Sequence, residues 1–105
     1  MDLVDMVYVL TGSWPSHEQF GLTNQVRRAS VSVPSNIAEG QGRKSNGDFA
    51  RFLAISYGSL MEVRTQLEIG LRREYSPADD IAPVLAKLDE TGRLINGLKR
   101  SLKGR

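Results

Sequence analysis

The sequence contains no cysteine, and His17 is its only histidine. Without cysteine the chain forms no disulfide, no thiolate metal site and no thiol nucleophile. A histidine without a second histidine or a cysteine as partner does not make a typical transition-metal site, so we expect His17 to lie in a surface loop. The sequence therefore predicts neither a metal nor a cofactor.

Long apolar runs are also missing. No stretch approaches the ~20 residues that are needed to cross a bilayer, and no basic-then-apolar signal peptide opens the chain. Together with the lack of cysteine, this pattern fits a cytoplasmic protein without a membrane partner.

The net charge of the chain is small, but one segment of it is strongly basic. Fourteen basic and twelve acidic residues give a net charge of only +2, which is too small to indicate a nucleic-acid partner by itself. Residues 93–105, however, contain no acidic residue and five basic ones: Arg93, Lys99, Arg100, Lys103 and Arg105. The rest of the composition, with 40% hydrophobic and 25% charged residues in a chain of 105, is typical of one globular domain spanning residues 1–105.

The central feature of the sequence is a helical pattern within residues 21–49. One stripe of it is apolar or small: Leu22, Val26, Ala29, Val33, Ile37 and Gly40. A neighbouring line is polar but short: Gln25, Ser32, Asn36 and Glu39. Pro34 lies inside this helix, where it should cause a kink and free the carbonyl of Ser30. We expect Ser32 and Ser35 to compensate by bonding back to the backbone.

Three further helices flank this one. The predicted bounds are Asp2 to Thr11 for the first helix, about Ser16 to Gly42 for the second, Ser45 to about Tyr75 for the third, and Ser76 to Gly104 for the fourth. Gly21 lies either inside the second helix or just before it, so that start is open by a few residues. The second and third helices each begin at a capping pattern, Ser16 with Gln19 and Ser45 with Asp48. The third helix carries a heptad seam: Phe49, Leu53, Ser56, Leu60, Val63, Leu67 and Gly70. The fourth carries Ile81, Leu85, Leu88, Gly92, Ile95, Leu98 and Leu102.

Four helices with short connections predict an all-α, antiparallel up-and-down bundle. The first helix is short, because about ten residues span ~15 Å whereas thirty span ~45 Å. A groove between the second and fourth helices should therefore remain uncovered near the turn at residues 43–47. Either another chain covers it, or the sequence starts too late.

The sequence resembles a known bacterial family. LTNQVRRASVSVPSNIAEGQGRKSNGDFARFL, followed by GSLMEVRTQLEIG, resembles the 23S rRNA intervening-sequence proteins, also called four helix bundle proteins. The match covers nearly the whole chain. Its core comprises Gln25, Arg27, Arg28, Ala29, Ser32, Pro34, Asn36, Ile37, Ala38, Glu39, Gly40, Phe49, Phe52, Leu53, Gly58, Ser59, Glu62, Gln66 and Leu67. Trp14-Pro15 stands where the family usually has Phe-Pro.

The resemblance implies a four-helix bundle that forms ring-shaped homo-oligomers, commonly pentamers, with no enzyme activity. The family is also similar to the accessory variability protein of diversity-generating retroelements, a pentamer that engages a reverse transcriptase and nucleic acid. Members usually have an aromatic-containing segment before the residues equivalent to Met1-Asp2-Leu3. We therefore expect Met1 to be an internal methionine of the first helix and an upstream in-frame segment to have been lost.

A group of polar residues on the second and third helices forms the first candidate site: Gln25, Arg27, Arg28, Asn36, Glu39, Glu62 and Gln66. Counting from the turn places Arg27 and Arg28 level with Glu62, where a buried Arg–Glu pair is expected. One interpretation is a polar pocket or a catalytic pair of carboxylates. The other, which we favour, is a structural network that fixes helix register or joins subunits, because buried charges must be paired.

The second candidate site is a basic cluster. The up-and-down topology brings the turn at residues 43–47 and the end of the fourth helix to the same end of the bundle, which gathers Arg43, Lys44, Lys99, Arg100, Lys103 and Arg105. Repeated around a ring, this patch would attract phosphates. No aromatic residue interleaves these positions, so binding should be directed at the backbone and indifferent to sequence. The alternative is a solvated helix end that complements its dipole.

Two functions follow from these features. The first is a non-enzymatic, self-associating accessory or scaffold protein, a pentameric ring that binds nucleic acid through its basic rim. The second is a protein-interaction module without a nucleic-acid role. A third class, an enzyme that uses Glu39 and Glu62, lacks an accompanying nucleophile or base, and no small-molecule substrate is expected.

Overall fold

The structure is a computed structural model that describes residues 2–103. Its four helices are α1 (Asp2–Thr11), α2 (Leu22–Gln41), α3 (Asn46–Arg72) and α4 (Ala78–Lys103), and a 3-10 turn, Ser16–Glu18, lies between α1 and α2. Residues 2–103 contain no strand. The predictions that concern Met1, Gly104 and Arg105 lie outside the described residues.

The core is built around α3, as its heptad pattern predicts. Leu53, Leu60, Val63 and Leu67 are fully buried, because the spacing of three and four residues keeps them on one side of the helix. The other fully or nearly buried apolar side chains come from all the remaining helices: Leu3, Val7, Leu10, Val26, Ala29, Val33, Ile81, Val84, Leu88, Ile95 and Leu102. This common core confirms the predicted all-α four-helix bundle.

The helices are arranged in chain order around the core. α2 packs along α3, α3 packs along α4, and α1 lies between α2 and α4. The molecule measures 46 × 24 × 18 Å, and its length matches the ~40 Å expected for the 27 residues of α3 at 1.5 Å per residue. The long axis is thus set by α3 and α4, whereas α1 spans only part of it.

A groove is present between α2 and α4, as predicted, although it lies beside the start of α1 and not at the turn at residues 43–47. A cavity of about 270 Å³ opens beside the first residues of α1 and is lined by Val33, Pro34 and Ile37 of α2 and Leu94 of α4. Leu94 and Leu98 are 64% and 38% exposed. Apolar side chains of α4 are therefore left in solvent where α1 does not reach.

A start of the second helix at the Ser16 capping pattern is wrong, whereas the alternative, in which Gly21 lies just before the helix, is confirmed. The Ser16 side chain makes no capping bond, and the chain forms only a 3-10 turn there. α2 begins at Leu22 instead, because the Glu18 carboxylate accepts a hydrogen bond from the Leu22 amide at 3.1 Å. The same carboxylate accepts a bond from the Tyr75 hydroxyl at 2.8 Å. The amide bond and then the Tyr75 bond lower the pKa of Glu18 below its usual value.

The third helix begins as predicted and ends earlier. Ser45 accepts a bond from the Asp48 amide at 3.1 Å, which confirms that capping pair. α3 ends at Arg72 rather than near Tyr75, because Glu74 adopts a positive φ of 62°. The Tyr75 amide then bonds to the Gly70 carbonyl at 2.9 Å, which closes the helix in the manner of a Schellman motif.

A tryptophan fixes the end of α1 against the α3–α4 turn. The Trp14 indole donates a hydrogen bond to the Ser76 hydroxyl at 2.7 Å. Ser76, which lies just before α4, therefore also fixes the position of Trp14. The ring lies against Gly70, where an added Cβ would come within 2.7 Å of it. Glycine is therefore needed at that position for the ring to approach α3.

α2 runs without interruption through Pro34, and the kink predicted there stays a prediction. The Ser32 hydroxyl does not bond to the backbone as expected. It lies 2.9 Å from the Ser59 hydroxyl, so it joins α2 to α3.

Candidate functional site

The interface of α2 and α3 contains a seam of small polar side chains. The Ser32 and Ser59 hydroxyls are hydrogen-bonded at 2.9 Å, and the Asn36 amide donates to the Ser32 hydroxyl at 2.9 Å. The buried Ser56 hydroxyl donates to the Val33 carbonyl at 2.8 Å. Because these side chains are short, they allow the two helices to approach closely and fix their relative position along the axis.

The seam determines which residues of α2 and α3 lie at the same height. With Ser32 opposite Ser59, Glu39 lies level with about residue 52, and Glu62 lies about ten residues further along α3. At 1.5 Å per residue this separates the two carboxylates by ~15 Å along the axis. Both residues are exposed. The pair of carboxylates that the enzyme hypothesis requires is therefore not formed.

The prediction of a buried Arg–Glu pair between α2 and α3 is also wrong. Arg27 turns toward α1, where its Nε donates to the Thr11 hydroxyl at 2.8 Å and its guanidinium lies 4.6 Å from the centre of the Tyr8 ring. Counting along the helices gives the right height for Glu62 but the wrong side. The ion pair that links two of the long helices is instead Arg64 with Asp89.

The remaining residues of the predicted polar group are on the surface or at its edge. Gln25 and Arg28 are exposed, and Gln66 is half-buried. The Gln66 Oε1 atom is buried and has no hydrogen-bond partner among the described residues. Gln66 and Glu62 line a shallow depression of about 290 Å³ on α3. Only Asn36 joins the seam, and the role of the others at a subunit interface stays a prediction.

The turn between α2 and α3 forms the basic end of the bundle. Gly40 allows the end of α2 to approach the start of α3, because a Cβ there would lie 2.8 Å from the Phe49 ring and 2.9 Å from Phe52. This contact places the exposed residues 43–48 beside the end of α4. A small cavity of about 180 Å³ is lined by Asn46 and Gly47 on one side and by Lys99 and Lys103 on the other.

Of the predicted basic residues, Lys99 and Lys103 thus lie beside Asn46 and Gly47, in and next to the turn that carries Arg43 and Lys44. Arg43, Lys44, Arg100 and Lys103 are exposed, and Lys99 is half-buried. Arg105 lies outside the described residues. Arg43 is partly neutralised, since its guanidinium binds the Glu39 carboxylate at 2.7 Å. That ion pair is solvent-exposed and therefore contributes little to stability.

The structure adds Arg51 to this group. The Arg43 and Arg51 guanidiniums both lie 4.8 Å from the centre of the Phe52 ring. An aromatic residue is therefore present among the basic residues, contrary to the expectation from the sequence. Because two cations already lie against the Phe52 ring, it is not free to stack on a base. In the sequence, the only sign of this arrangement is that Arg51 and Phe52 are adjacent. A helical pattern alone does not show that Arg43 reaches the same ring.

The charges at this end are unbalanced. Six cationic side chains (Arg43, Lys44, Arg51, Lys99, Arg100 and Lys103) face two carboxylates, Glu39 and Asp48. Asp48 lies 4.0 Å from Arg51. The excess of positive charge is larger here than over the chain as a whole, which carries +2. Such a surface attracts phosphates without distinguishing bases.

His17 is exposed, as expected, and lies in the 3-10 turn with an edge-on contact to the Tyr75 ring at 6.3 Å. Within residues 2–103, no three histidine or acidic side chains are close enough to hold a metal ion. None of the helices in this part of the chain is long and apolar enough to cross a membrane.

The sequence profile of the 23S rRNA-intervening sequence proteins matches residues 1–97. The chain belongs to this family. A solved structure from Bacteroides thetaiotaomicron, described as a protein of unknown function from the S23 ribosomal protein family, has the same fold. Its TM-score is 0.79 at 22% identity, and the similarity covers 93% of this chain and 88% of that one. No curated protein matches the chain significantly.

The family membership and the four-helix fold that the sequence of this chain predicts are thus confirmed. The family and the Bacteroides protein carry no assigned activity. The function of this member must therefore be argued from its own surfaces.

Proposed function

We propose that this family member is a non-enzymatic, self-associating scaffold or accessory protein that binds the phosphate backbone of nucleic acids through its basic end. The observation that carries the proposal is the cluster of six cationic side chains against two carboxylates at one end of the bundle. Repetition of this end around a ring, for which a pentamer is the expected size, would multiply the field that a polyanion meets.

Exposed apolar side chains support self-association. Val9, Phe20 and Leu94 are 82%, 89% and 64% exposed, and the groove between α2 and α4 is open. Large apolar side chains that the fold does not bury are typical of surfaces that meet another protein. Light scattering on the purified chain tests this clause, and a monomer at every concentration would remove it.

The nucleic-acid clause is tested with a mixed-sequence RNA and a mixed-sequence duplex DNA, measured by fluorescence anisotropy over a range of salt concentrations. A backbone-directed surface loses affinity with a log–log slope of about −0.7 per phosphate contact for single strands and about −0.9 for duplexes. The variant Lys44→Glu/Lys103→Glu reverses two exposed charges of the basic end and should bind at least about tenfold more weakly.

A matched control makes the same change in net charge at the opposite end of α3. Arg72→Glu/Arg73→Glu alters two exposed residues that lie a full helix length from the turn, and this variant should retain its binding. Equal loss in both variants would show that only net charge matters. Unchanged binding in both would remove the nucleic-acid clause and leave the alternative, a protein-interaction module, which the exposed apolar residues support.

A further inference from the structure

A cavity lies between α1 and the start of α4, at the end of the bundle opposite the basic cluster. It measures about 580 Å³ and is an open groove with a mainly apolar lining. Met6 and Val84 contribute to its lining, and Val9 is 82% exposed beside it. Methionine adapts readily to the shape of an inserted side chain.

Three carboxylates line the same groove. Asp5 comes from α1, and Asp79 and Asp80 come from the first turn of α4. None of the three forms an ion pair within residues 2–103. An apolar groove with uncompensated negative charge at its edge is complementary to an apolar ridge that carries positive charge.

The second half of α4 has such a ridge. Leu94 and Leu98 are four residues apart, lie on one face of the helix and are 64% and 38% exposed. Arg93 and Arg100 are exposed on the adjoining face, and the Arg100 guanidinium lies close to Gly97, between the two leucines in sequence. We call these four residues, Leu94, Leu98, Arg93 and Arg100, the arginine–leucine ridge.

We propose that the acidic groove of one copy of this chain receives the arginine–leucine ridge of a second copy. The leucines would cover Met6 and Val84, and the arginines would meet the carboxylates of Asp79 and Asp80. This inference rests on the self-association in the proposed function and specifies the surfaces through which it occurs.

The proposed contact is heterologous, because the two surfaces lie at different places on α4. About seventeen residues separate their centres, which corresponds to ~25 Å along the helix. Each copy therefore offers one groove and one ridge, and the contact can be repeated from copy to copy. Lys44, Lys99 and Lys103 are not part of the ridge, so most of the basic end stays available in the assembly.

The experiment uses two charge-reversed variants of the whole chain and measures association by sedimentation velocity. Asp79→Arg/Asp80→Arg reverses the groove, and Arg93→Glu/Arg100→Glu reverses the ridge. Each variant alone brings like charges together, and its self-association should weaken at least about tenfold. In an equimolar mixture, every contact between the two different variants brings opposite charges together, so the mixture should associate more strongly than either variant alone.

Arg51→Glu/Arg72→Glu on α3 is the control, since it makes the same change in net charge as the ridge variant and should leave association intact. Thermal melts show whether the groove variant folds, because arginine is unfavourable in the first turn of a helix. If it does not fold, Val9→Arg replaces it. Val9 is an exposed residue of the groove on α1, so an arginine there would repel the arginines of the ridge, and association should likewise weaken.

The outcomes separate the two proposals. Loss of association in each variant together with recovery in the mixture supports the contact between groove and ridge. Association that is unaffected by the reversals overturns this contact and leaves self-association through another surface. A monomeric unaltered chain overturns both.

Discussion

Gly70 is the residue on which the packing of Trp14 depends. An alanine there would place its Cβ 2.7 Å from the indole ring, so the ring would have to move and its bond to Ser76 would be strained. We predict that Gly70→Ala lowers the free energy of unfolding by about 1–3 kcal/mol. Gly58→Ala is the matched control on the same helix, because nothing lies within 4 Å of its Cβ position.

Gly58→Ala should stabilise the protein by about 0.5–1 kcal/mol, since alanine loses less backbone entropy than glycine in a helix. Urea unfolding followed by circular dichroism measures both changes. If the two alanine variants were equally stable, the close approach of Trp14 to α3 would not be a stabilising contact.

Glu18 gives the stability of the protein a dependence on pH. Its folded-state pKa lies below its ordinary value of 4.5, chiefly because of the bond from the Leu22 amide and then the bond from Tyr75. A lowered pKa means that the unfolded chain binds a proton more readily. The contribution is therefore fully present above about pH 4.5 and is lost as the pH falls from there through the folded-state pKa.

We predict that Glu18→Gln flattens the dependence of unfolding free energy on pH between about pH 3 and pH 5. Glu68→Gln, at an exposed carboxylate on α3 with no hydrogen bond among the described residues, is the comparison. Parallel curves for Glu18→Gln and the unaltered chain would show that this carboxylate does not couple α2 to the α3–α4 turn.

At the scale of single residues, sequence reasoning succeeded where a contact is local and failed where it is distant. The bond from the Asp48 amide to Ser45 spans three positions and was predictable. The partners of Arg27 lie sixteen and nineteen positions away on α1. Helical counting gives the height of Arg27 but not the direction in which a long side chain turns, so its bonds to α1 could not be foreseen.

The interface between α2 and α3 contains hydrogen bonds between small polar side chains. Ser32→Ala removes one side of the seam, and Ser59→Ala removes the other. We predict that each change lowers the free energy of unfolding by about 0.5–1.5 kcal/mol. The double variant should lose less than the sum of the two, with a coupling energy of about 0.5 kcal/mol or more.

A double-mutant cycle from urea unfolding measures this coupling. Thr65→Ala combined with Ser101→Ala is the control pair, because these exposed hydroxyls bond only to carbonyls of their own helices. Additive losses at Ser32 and Ser59 would mean that the two hydroxyls do not stabilise each other.

The bounds of the elements were predictable in proportion to their regularity. The heptad positions of α3 from Leu53 to Gly70 are buried, as expected. The start of α2 could be predicted only to within a few residues, because the letters of a capping box at Ser16 do not reveal that Glu18 caps Leu22 instead. The end of α3 was missed because Glu74 occupies a left-handed position that glycine usually takes.

The molecule as a whole is unevenly supported. α1 has only ten residues and is held at its end by Arg27, through Thr11 and the Tyr8 ring. Short elements at an edge open with lower free energy than central ones. We therefore predict that amide hydrogens of α1 exchange faster than those of α2 and α3.

Arg27→Ala should accelerate exchange in α1 by about threefold to tenfold while leaving α3 unchanged, since it removes one charge-assisted bond. Arg28→Ala is the adjacent control on an exposed position. Equal acceleration over all four helices would show that the bundle opens only as one unit. Hydrogen exchange read by mass spectrometry resolves these cases.

The bundle topology and the clustering of Lys99 and Lys103 beside the α2–α3 turn could both be predicted, because up-and-down connections place these segments together. The acidic groove could not. Asp5 and Asp79 are separated by most of the sequence and become neighbours only when α1 lies along α4.

Trp14 is the only tryptophan of the chain, and its indole bonds to a hydroxyl that is 62 positions away in sequence. The wavelength of its fluorescence emission therefore reports one event, the packing of the α1–α2 connection against the α3–α4 turn. A red shift on unfolding, followed in a stopped-flow instrument, would time that closure without any attached dye.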